Sequence, residues 1–375
     1  MTEIQGSCAP RFEAVRAAFA ANFDRGLEVG ASVAVVLDGE LVVDLWGGTA
    51  DAAGTRPWER DTITNVWSTT KTMTFLACLV LADRGEIDLH APVARYWPEF
   101  AANGKADVTV AHCLSHAAGL SGWQEPITAA DFEDWDKVTA LLAAQAPWWT
   151  PGTASGYHAI TQGYLLGEVV RRVTGRSFGT FLAEELAGPL GADFHCGTGP
   201  EHDDRVALVI PNAPMDLGVA PTESVAYRTF VNPPMTATYA HTVGWRRAEV
   251  PAANGHGNAR SVALLQAIVS HGGELQGRRF LSAAGCRRAL ECQIEGTDLV
   301  LGMPARFGMG YGLAGETLPL PPSACFWGGW GGSLAINDLD ARMTFSYVMN
   351  KMGDGTVGDE RGASLLLATY GALAG

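Results

Sequence analysis

The chain has 375 residues, with 26 Lys plus Arg against 40 Asp plus Glu and a formal charge of −14. No window is rich in basic residues, so a nucleic-acid partner, which needs a cationic face to release counterions, is not expected. The 47% hydrophobic and 18% charged residues are those of an ordered chain able to bury a sizeable core, and the length allows one large domain or two closely packed ones.

In chain order, the opening Met-Thr-Glu-Ile-Gln-Gly-Ser-Cys has neither the basic start nor the apolar run of a secretory leader, which leads us to expect a cytoplasmic protein. Phe12, Val15, Phe19 and Phe23 recur at helical spacing and predict a helix over Arg11 to Phe23. Val33 to Leu37 and Leu41 to Trp46 predict two strands, and the Asp38-Gly39 pair between them suits a tight hairpin turn. From Ser68 the sequence reads as a helix that is apolar nearly all round and stops at Gly85, which is the pattern of a buried central helix. Its apolar run, Phe75 to Ala82, is far short of the roughly 20 residues needed to cross a bilayer, so no membrane span is expected.

Further helices are predicted over Ala129 to Gln145 and Thr161 to Val173, separated by loops rich in Pro, Gly and Trp. Asn212 to Val250 shows little periodicity and is read as an irregular, site-lining stretch. Ser333 to Asn337 and Met343 to Met349 predict paired strands, and Gly362 to Leu373 a final helix. The expected organisation is one α/β domain built from both chain ends, residues 1–87 and 255–375, with a helical and loop-rich domain, 88–254, inserted between them and a cleft where they meet. Seven cysteines (Cys8, Cys78, Cys113, Cys196, Cys286, Cys292, Cys325) are odd in number and never spaced as C-x-x-C. They are read as reduced thiols, mostly buried, rather than as a disulfide framework or a zinc ribbon.

Three segments could carry chemistry. Lysine is scarce, limited to Lys71, Lys105, Lys137 and Lys351, and Ser68-Thr-Thr-Lys71 puts one of the four on the same helix face as a serine at its first turn. The amine can then share the hydroxyl proton, and the turn's free N–H groups favour developing negative charge. The plainer alternative is an N-cap Ser followed by a solvated Lys, which a buried helix makes awkward. Tyr157, in the turn-rich Pro151-Gly-Thr-Ala-Ser-Gly-Tyr, stands just before a helix and could present its phenol as an acid or base. A neighbouring cation would favour the phenolate, although core packing is the commoner fate of an isolated Tyr. Phe326-Trp-Gly-Gly-Trp-Gly-Gly-Ser333 reads as glycines running into a strand, where a backbone N–H can face an oxyanion, or as a bulge beside packed tryptophans.

Taken in this order, the segments resemble the serine β-lactamase and penicillin-binding-protein superfamily, and most closely its family VIII carboxylesterases. The resemblance rests on Ser-x-x-Lys at 68 to 71, Pro-Gly-Thr…Tyr at 151 to 157 and Trp-Gly-Gly at 327 to 329. Leu114-Ser-His-Ala-Ala-Gly-Leu120 and Ala82-Asp-Arg-Gly-Glu-Ile-Asp-Leu89 are similar to further family segments, so nearly the whole chain is covered. The fold this implies is α/β, a three-layer α/β/α domain with an antiparallel sheet plus an inserted mainly helical domain. The resemblance also implies Ser68 as nucleophile, Lys71 as its proton-sharing partner and Tyr157 as general base and later acid. An oxyanion hole would be made by the backbone N–H groups of Ser68 and Trp330, although Trp330-Gly-Gly repeats the triplet and leaves the register of this motif open. Trp327, Gly328, Gly329 and His158 are the expected substrate-binding residues, with His158 equally open to a structural role and Trp327 expected to shape acyl preference.

Two departures narrow the expectation. Trp-Gly-Gly stands where β-lactamases have Lys-Thr-Gly, which removes the cation that would pair with a substrate carboxylate. Ala159 stands where many relatives have Asn. Both favour small to medium uncharged esters, giving a serine carboxylesterase, with an acyltransferase or a weak β-lactamase as alternatives. Retention of all three reactive residues argues against a non-enzymatic scaffold. His112 and His116 lack the companions of a metal site, and His116 is read as a loop tie. No nucleophile elbow or nucleotide loop occurs, so neither metal nor cofactor is expected, the partner is a small-molecule ester, and a homo-oligomer stays open.

Overall fold

Val33 and Val35 face one apolar cluster while Ala34 and Val36 face another, because alternate residues of a strand point to opposite sides. That two-sided burial explains why the strand reads as a continuous apolar run. The computed structural model describes residues 2–212, 221–315, 318–355 and 358–375. Nine strands form one antiparallel sheet: β1 Gln5–Cys8, β2 Gly30–Leu37, β3 Glu40–Gly48, β4 Ile294–Thr297, β5 Pro304–Phe307, β6 Gly312–Leu313, β7 Ala324–Gly328, β8 Leu334–Asp338 and β9 Met343–Met349, in the order β1-β3-β2-β9-β8-β7-β6-β5-β4. The β2–β3 hairpin turns at Asp38 (φ 49°) and Gly39 (φ 85°), the left-handed pair that the Asp-Gly sequence predicts.

The helices Glu13–Asp24 and Glu360–Ala374 pack on each other and cover one face through Val15, Phe19, Leu365 and Leu366. On the other face the helix Ala259–Ser270 lies against β2 and β9, with Lys71–Asp83 beyond it. Two layers of helix on a central sheet result. Lys71–Asp83 shares its apolar cluster not only with Val262 and Leu265 but also with Leu142, Leu165, Val169 and Phe181 from the stretch between the two parts of the sheet. Having apolar neighbours on every side, it buries every residue from Lys71 to Leu81. None of the nine strands comes from residues 49–293 among the described residues.

Three details differ from the sequence expectation. The helix at Ser68 starts as a 3₁₀ turn, Trp67–Thr70, so that Lys71 is the first α-helical residue. Asn212 to Val250 is less irregular than its sequence suggests: it holds the helices Val225–Val231 and Val243–Arg247 and the 3₁₀ turn Ala237–His241. Segments this short, capped by Ser224 and Thr242 side chains, show no periodicity to read; residues 213–220 lie outside the described residues. Trp327 and Gly328 end strand β7 rather than preceding a strand, and the tryptophan-glycine repeat forms the turn to β8. All seven cysteines are free, and of them Cys78, Cys113, Cys196, Cys286 and Cys325 are buried. No helix among the described residues is long and apolar enough to cross a membrane.

Candidate active site

The 3₁₀ turn is entered through Trp67, whose φ of 49° lies in the left-handed region that a bulky side chain avoids. Trp67 is clasped by Trp245 and Trp330, with ring centroids 6.0 Å and 5.1 Å away, so surrounding packing holds the strained residue in place. Ser68 follows, and one helical turn on Lys71 reaches back along the same face, Nζ lying 3.1 Å from Ser68 Oγ. The amine is fully buried and donates to two backbone carbonyls, Ala159 O at 2.7 Å and Ala252 O at 2.9 Å. Burial holds its pKa well below that of an ordinary lysine. A neutral amine has two N–H groups and one lone pair, so with both N–H groups committed to carbonyls the lone pair is left for the Ser68 hydroxyl.

Tyr157 arrives from the loop before the helix Thr161–Thr174, and its hydroxyl is 2.6 Å from Ser68 Oγ. Burial raises the phenol's pKa, the hydrogen bond to Ser68 only partly offsetting it. The Lys71 amine lies 4.9 Å from the centre of the Tyr157 ring. Burial thus favours a neutral amine beside a neutral phenol over the cation and phenolate that adjacency alone suggests. The Tyr157 backbone is pinned from across the fold: its N–H donates to Asp298 Oδ1 at 3.0 Å, an oxygen that also accepts from Val300 and Leu301 N–H.

The turn between β7 and β8 is docked on the Ser68 turn. Ser333 Oγ donates to Val66 O at 2.8 Å and contacts Thr69 Oγ1 at 2.9 Å, and Gly329 sits so close to Val66 O and Ser333 Oγ that a Cβ would collide with both. Gly331, with φ 89°, is held from behind by Arg361, which donates to Gly331 O at 2.7 Å and to Lys351 O at 2.7 Å while paired with Asp359 and Glu28. Among the described residues, the N–H groups of Ser68 and Trp330 make no hydrogen bond to protein. Two free donors on apposed turns can together stabilise an oxyanion.

Trp327 stacks on His116, ring centroids 5.2 Å apart with an interplanar angle of 21°, and packs against Phe75, Phe307 and Tyr157. With Tyr157, Gly328 and residues of β4 to β6 it lines a cavity of about 420 Å³. Gly329 lies outside that lining, against the Ser68 turn. His158 also lies outside that lining. It is fully buried, Nδ1 meets Gly156 O at 2.6 Å, and Nε2 accepts from Leu120 N–H at 3.0 Å. Burial pushes its pKa down to about 3, the bond to Gly156 notwithstanding, so it is a neutral tie between two loops. His116 is likewise buried, and its Nδ1 accepts from His158 N–H at 3.0 Å. Sequence reasoning missed Asp298, Arg361 and the carbonyl of Ala252, none of which stands in a motif, and it singled out Ala159 only for its missing side-chain amide, not for its carbonyl.

A model of the beta-lactamase family matches residues 19–370. The chain belongs to the beta-lactamase family. Among family members it is similar to the Esterase/beta-lactamase LipL of Mycobacterium tuberculosis, 37% identical in an alignment of 365 positions that covers 92% of this chain and 83% of LipL. It is also similar to a solved family VIII carboxylesterase at 47% identity and a TM-score of 0.93, covering 99% of this chain and 100% of the other. A penicillin-binding-protein homologue from Caulobacter crescentus matches at 40% identity and a TM-score of 0.90, covering 99% and 100%. The architecture is thus the β-lactamase-like α/β fold, an antiparallel sheet with helices on both faces. Within the family frame Lys71, Ser68 and Tyr157 form one hydrogen-bonded line in which Ser68 is the middle member.

Proposed function

We propose that the chain hydrolyses small to medium carboxylic esters through an acyl-enzyme on Ser68. That it is a serine hydrolase acting on carboxylic esters rests on its likeness to a family VIII carboxylesterase and to LipL. The observation that carries the residue assignment is the position of Ser68 Oγ, 3.1 Å from a buried amine and 2.6 Å from a phenol. Neutral Lys71 takes the Ser68 proton as Oγ attacks the ester carbonyl, and the N–H groups of Ser68 and Trp330 receive the oxyanion. Tyr157 donates its proton to the departing alkoxide and regains one from Lys71. Water then repeats the sequence in reverse on the acyl group. Trp327 offers no cation to a substrate carboxylate, which favours uncharged esters.

The assignment is tested by intact-mass spectrometry after brief exposure to p-nitrophenyl acetate, and separately to a fluorophosphonate, on wild type and Ser68→Ala. One adduct, mapped to Ser68 and missing from the variant, is expected; no adduct with either reagent overturns the acyl-enzyme reading. Asp298 supplies a further expectation. Asp298→Ala frees the Tyr157 backbone and is expected to lower kcat about 10- to 100-fold with little change in KM, since misplacing a catalytic group by about 1 Å costs on that order. Asp298→Asn keeps the Oδ1 acceptor and is expected to recover most of the loss in the same steady-state assay. An Ala variant with wild-type kcat would remove Asp298 from the positioning of Tyr157.

A further inference from the structure

The cavity of about 420 Å³ touches the reactive line at one member only: Tyr157 forms part of its wall, whereas neither Ser68 nor Lys71 does. Its floor is apolar, built from Met303, Phe307, Leu313, Phe326 and Trp327, and its volume falls in the range of small-molecule sites. The charged groups on the lining, Glu295 and Arg306, lie at the exposed rim 3.5 Å apart and neutralise each other. Among the described residues that line it, nothing would favour an ionic group over an alkyl or aryl one.

Which part of an ester reaches this cavity follows from the geometry of the tetrahedral intermediate. Of its four substituents, one is Ser68 Oγ, one is the oxyanion facing the Ser68 and Trp330 N–H groups, and one is the leaving oxygen, which must lie within reach of its proton donor. That donor is Tyr157, the residue on which the cavity opens. We infer that the cavity receives the alcohol portion of the ester, so that the protein selects its substrates by the apolar bulk of the alcohol and directs the acyl group elsewhere. This rests on the acyl-enzyme reading given above, and it moves Trp327 from the acyl side, where its sequence position suggested it, to the alcohol side. In acylation the Ser68 Oγ–C bond forms and the C–O bond to the alcohol breaks, while the serine proton passes through Lys71 and Tyr157 to the departing alcohol. In the reverse direction an apolar alcohol held in the same cavity would accept the acyl group in place of water, with the same proton balance.

The test compares two ester series on the intact protein: acetates of methyl through hexyl alcohol, and methyl esters of acetic through octanoic acid. All the acetates pass through one acetyl-enzyme, so differences in their kcat/KM report on the alcohol. A rise of about fourfold per buried methylene is expected in the alcohol series, and little or none in the acyl series. Leu313→Trp, which fills the floor, is expected to flatten the alcohol series, and Leu313→Ala to extend its rise to longer alcohols. Two variants of opposite size keep the test decisive should one fail to fold. A flat alcohol series in wild type, or variants that alter the acyl series instead, overturns the inference. Fluorophosphonate labelling of Ser68 separates the two levels: no labelling sinks the acyl-enzyme reading itself, whereas labelling with a flat alcohol series sinks only the alcohol site.

Discussion

Replacing Lys71 by methionine is expected to lower kcat/KM for a small ester by about 10³-fold or more, and replacing it by arginine to be no milder. The reason lies in what surrounds the amine. It is buried beside two carbonyls and a hydroxyl, and among the described residues the group left to meet its lone pair is the Ser68 hydroxyl. Desolvation lowers its pKa, which favours the free base over a fixed cation at the serine. Arginine restores a charge but is never a base at accessible pH, so it separates the two roles. The direction of the shift also sets the pH dependence: rate rises as pH increases through the depressed pKa of Lys71, because the protonated amine cannot accept the serine proton. Methionine should abolish that acid limb from whatever activity remains. Circular dichroism melts on the same samples distinguish chemistry from unfolding. Two carbonyls lose their donors in the methionine variant, but the unfavourable burial of an amine is removed as well, so only a modest change in Tm is expected. An arginine variant with substantial turnover would show that charge, not proton transfer, is what Lys71 contributes.

The parts of this site that sequence could show are the local ones. Ser68 and Lys71 are three residues apart on one helix, so their meeting follows from helical geometry. The β2–β3 hairpin follows equally from Asp38-Gly39, whose conformational needs are local. Tyr157 could be singled out only through the order of motifs along the chain, since nothing nearby in sequence tells that its hydroxyl meets a serine 89 positions away. The carbonyls of Ala159 and Ala252 escaped notice because every residue has one; their role depends on where two loops cross the helix start. Asp298 sits in an unremarkable Gly-Thr-Asp stretch, and its value comes from closing a contact over 141 residues. The role of His158 stayed open in the sequence for a related reason. Adjacency to Tyr157 says nothing of direction: the tyrosine hydroxyl meets Ser68 while the histidine ties Gly156 to Leu120. Trp327 and Gly328 read as residues running into the strand at Ser333, yet they end β7, whose pairing with β8 extends through Gly328.

Tyr157→Phe is expected to cost roughly 10² to 10⁴ in kcat/KM, with the position inside that range set by the leaving group. Burial raises the phenol's pKa, so at neutral pH Tyr157 holds its proton and is suited to giving it away. Its hydroxyl lies 2.6 Å from the attacking oxygen, and the residue forms part of the wall of the cavity assigned to the alcohol. A proton donor matters most where the departing oxygen is most basic. An alkyl ester, which must expel an alkoxide, should therefore lose close to 10⁴ in the phenylalanine variant, whereas a p-nitrophenyl ester, whose leaving group needs little help, should lose nearer 10². The measurement is the ratio of kcat/KM for ethyl acetate and p-nitrophenyl acetate in wild type and variant. Equal losses on both esters would mean that the phenol serves only to orient Ser68, since orientation of the nucleophile is blind to what departs. A near-normal rate on both would remove Tyr157 from the reaction. A loss concentrated on the alkyl ester ties the proton to the leaving oxygen, and thereby fixes the side of the tetrahedral intermediate on which the alcohol stands.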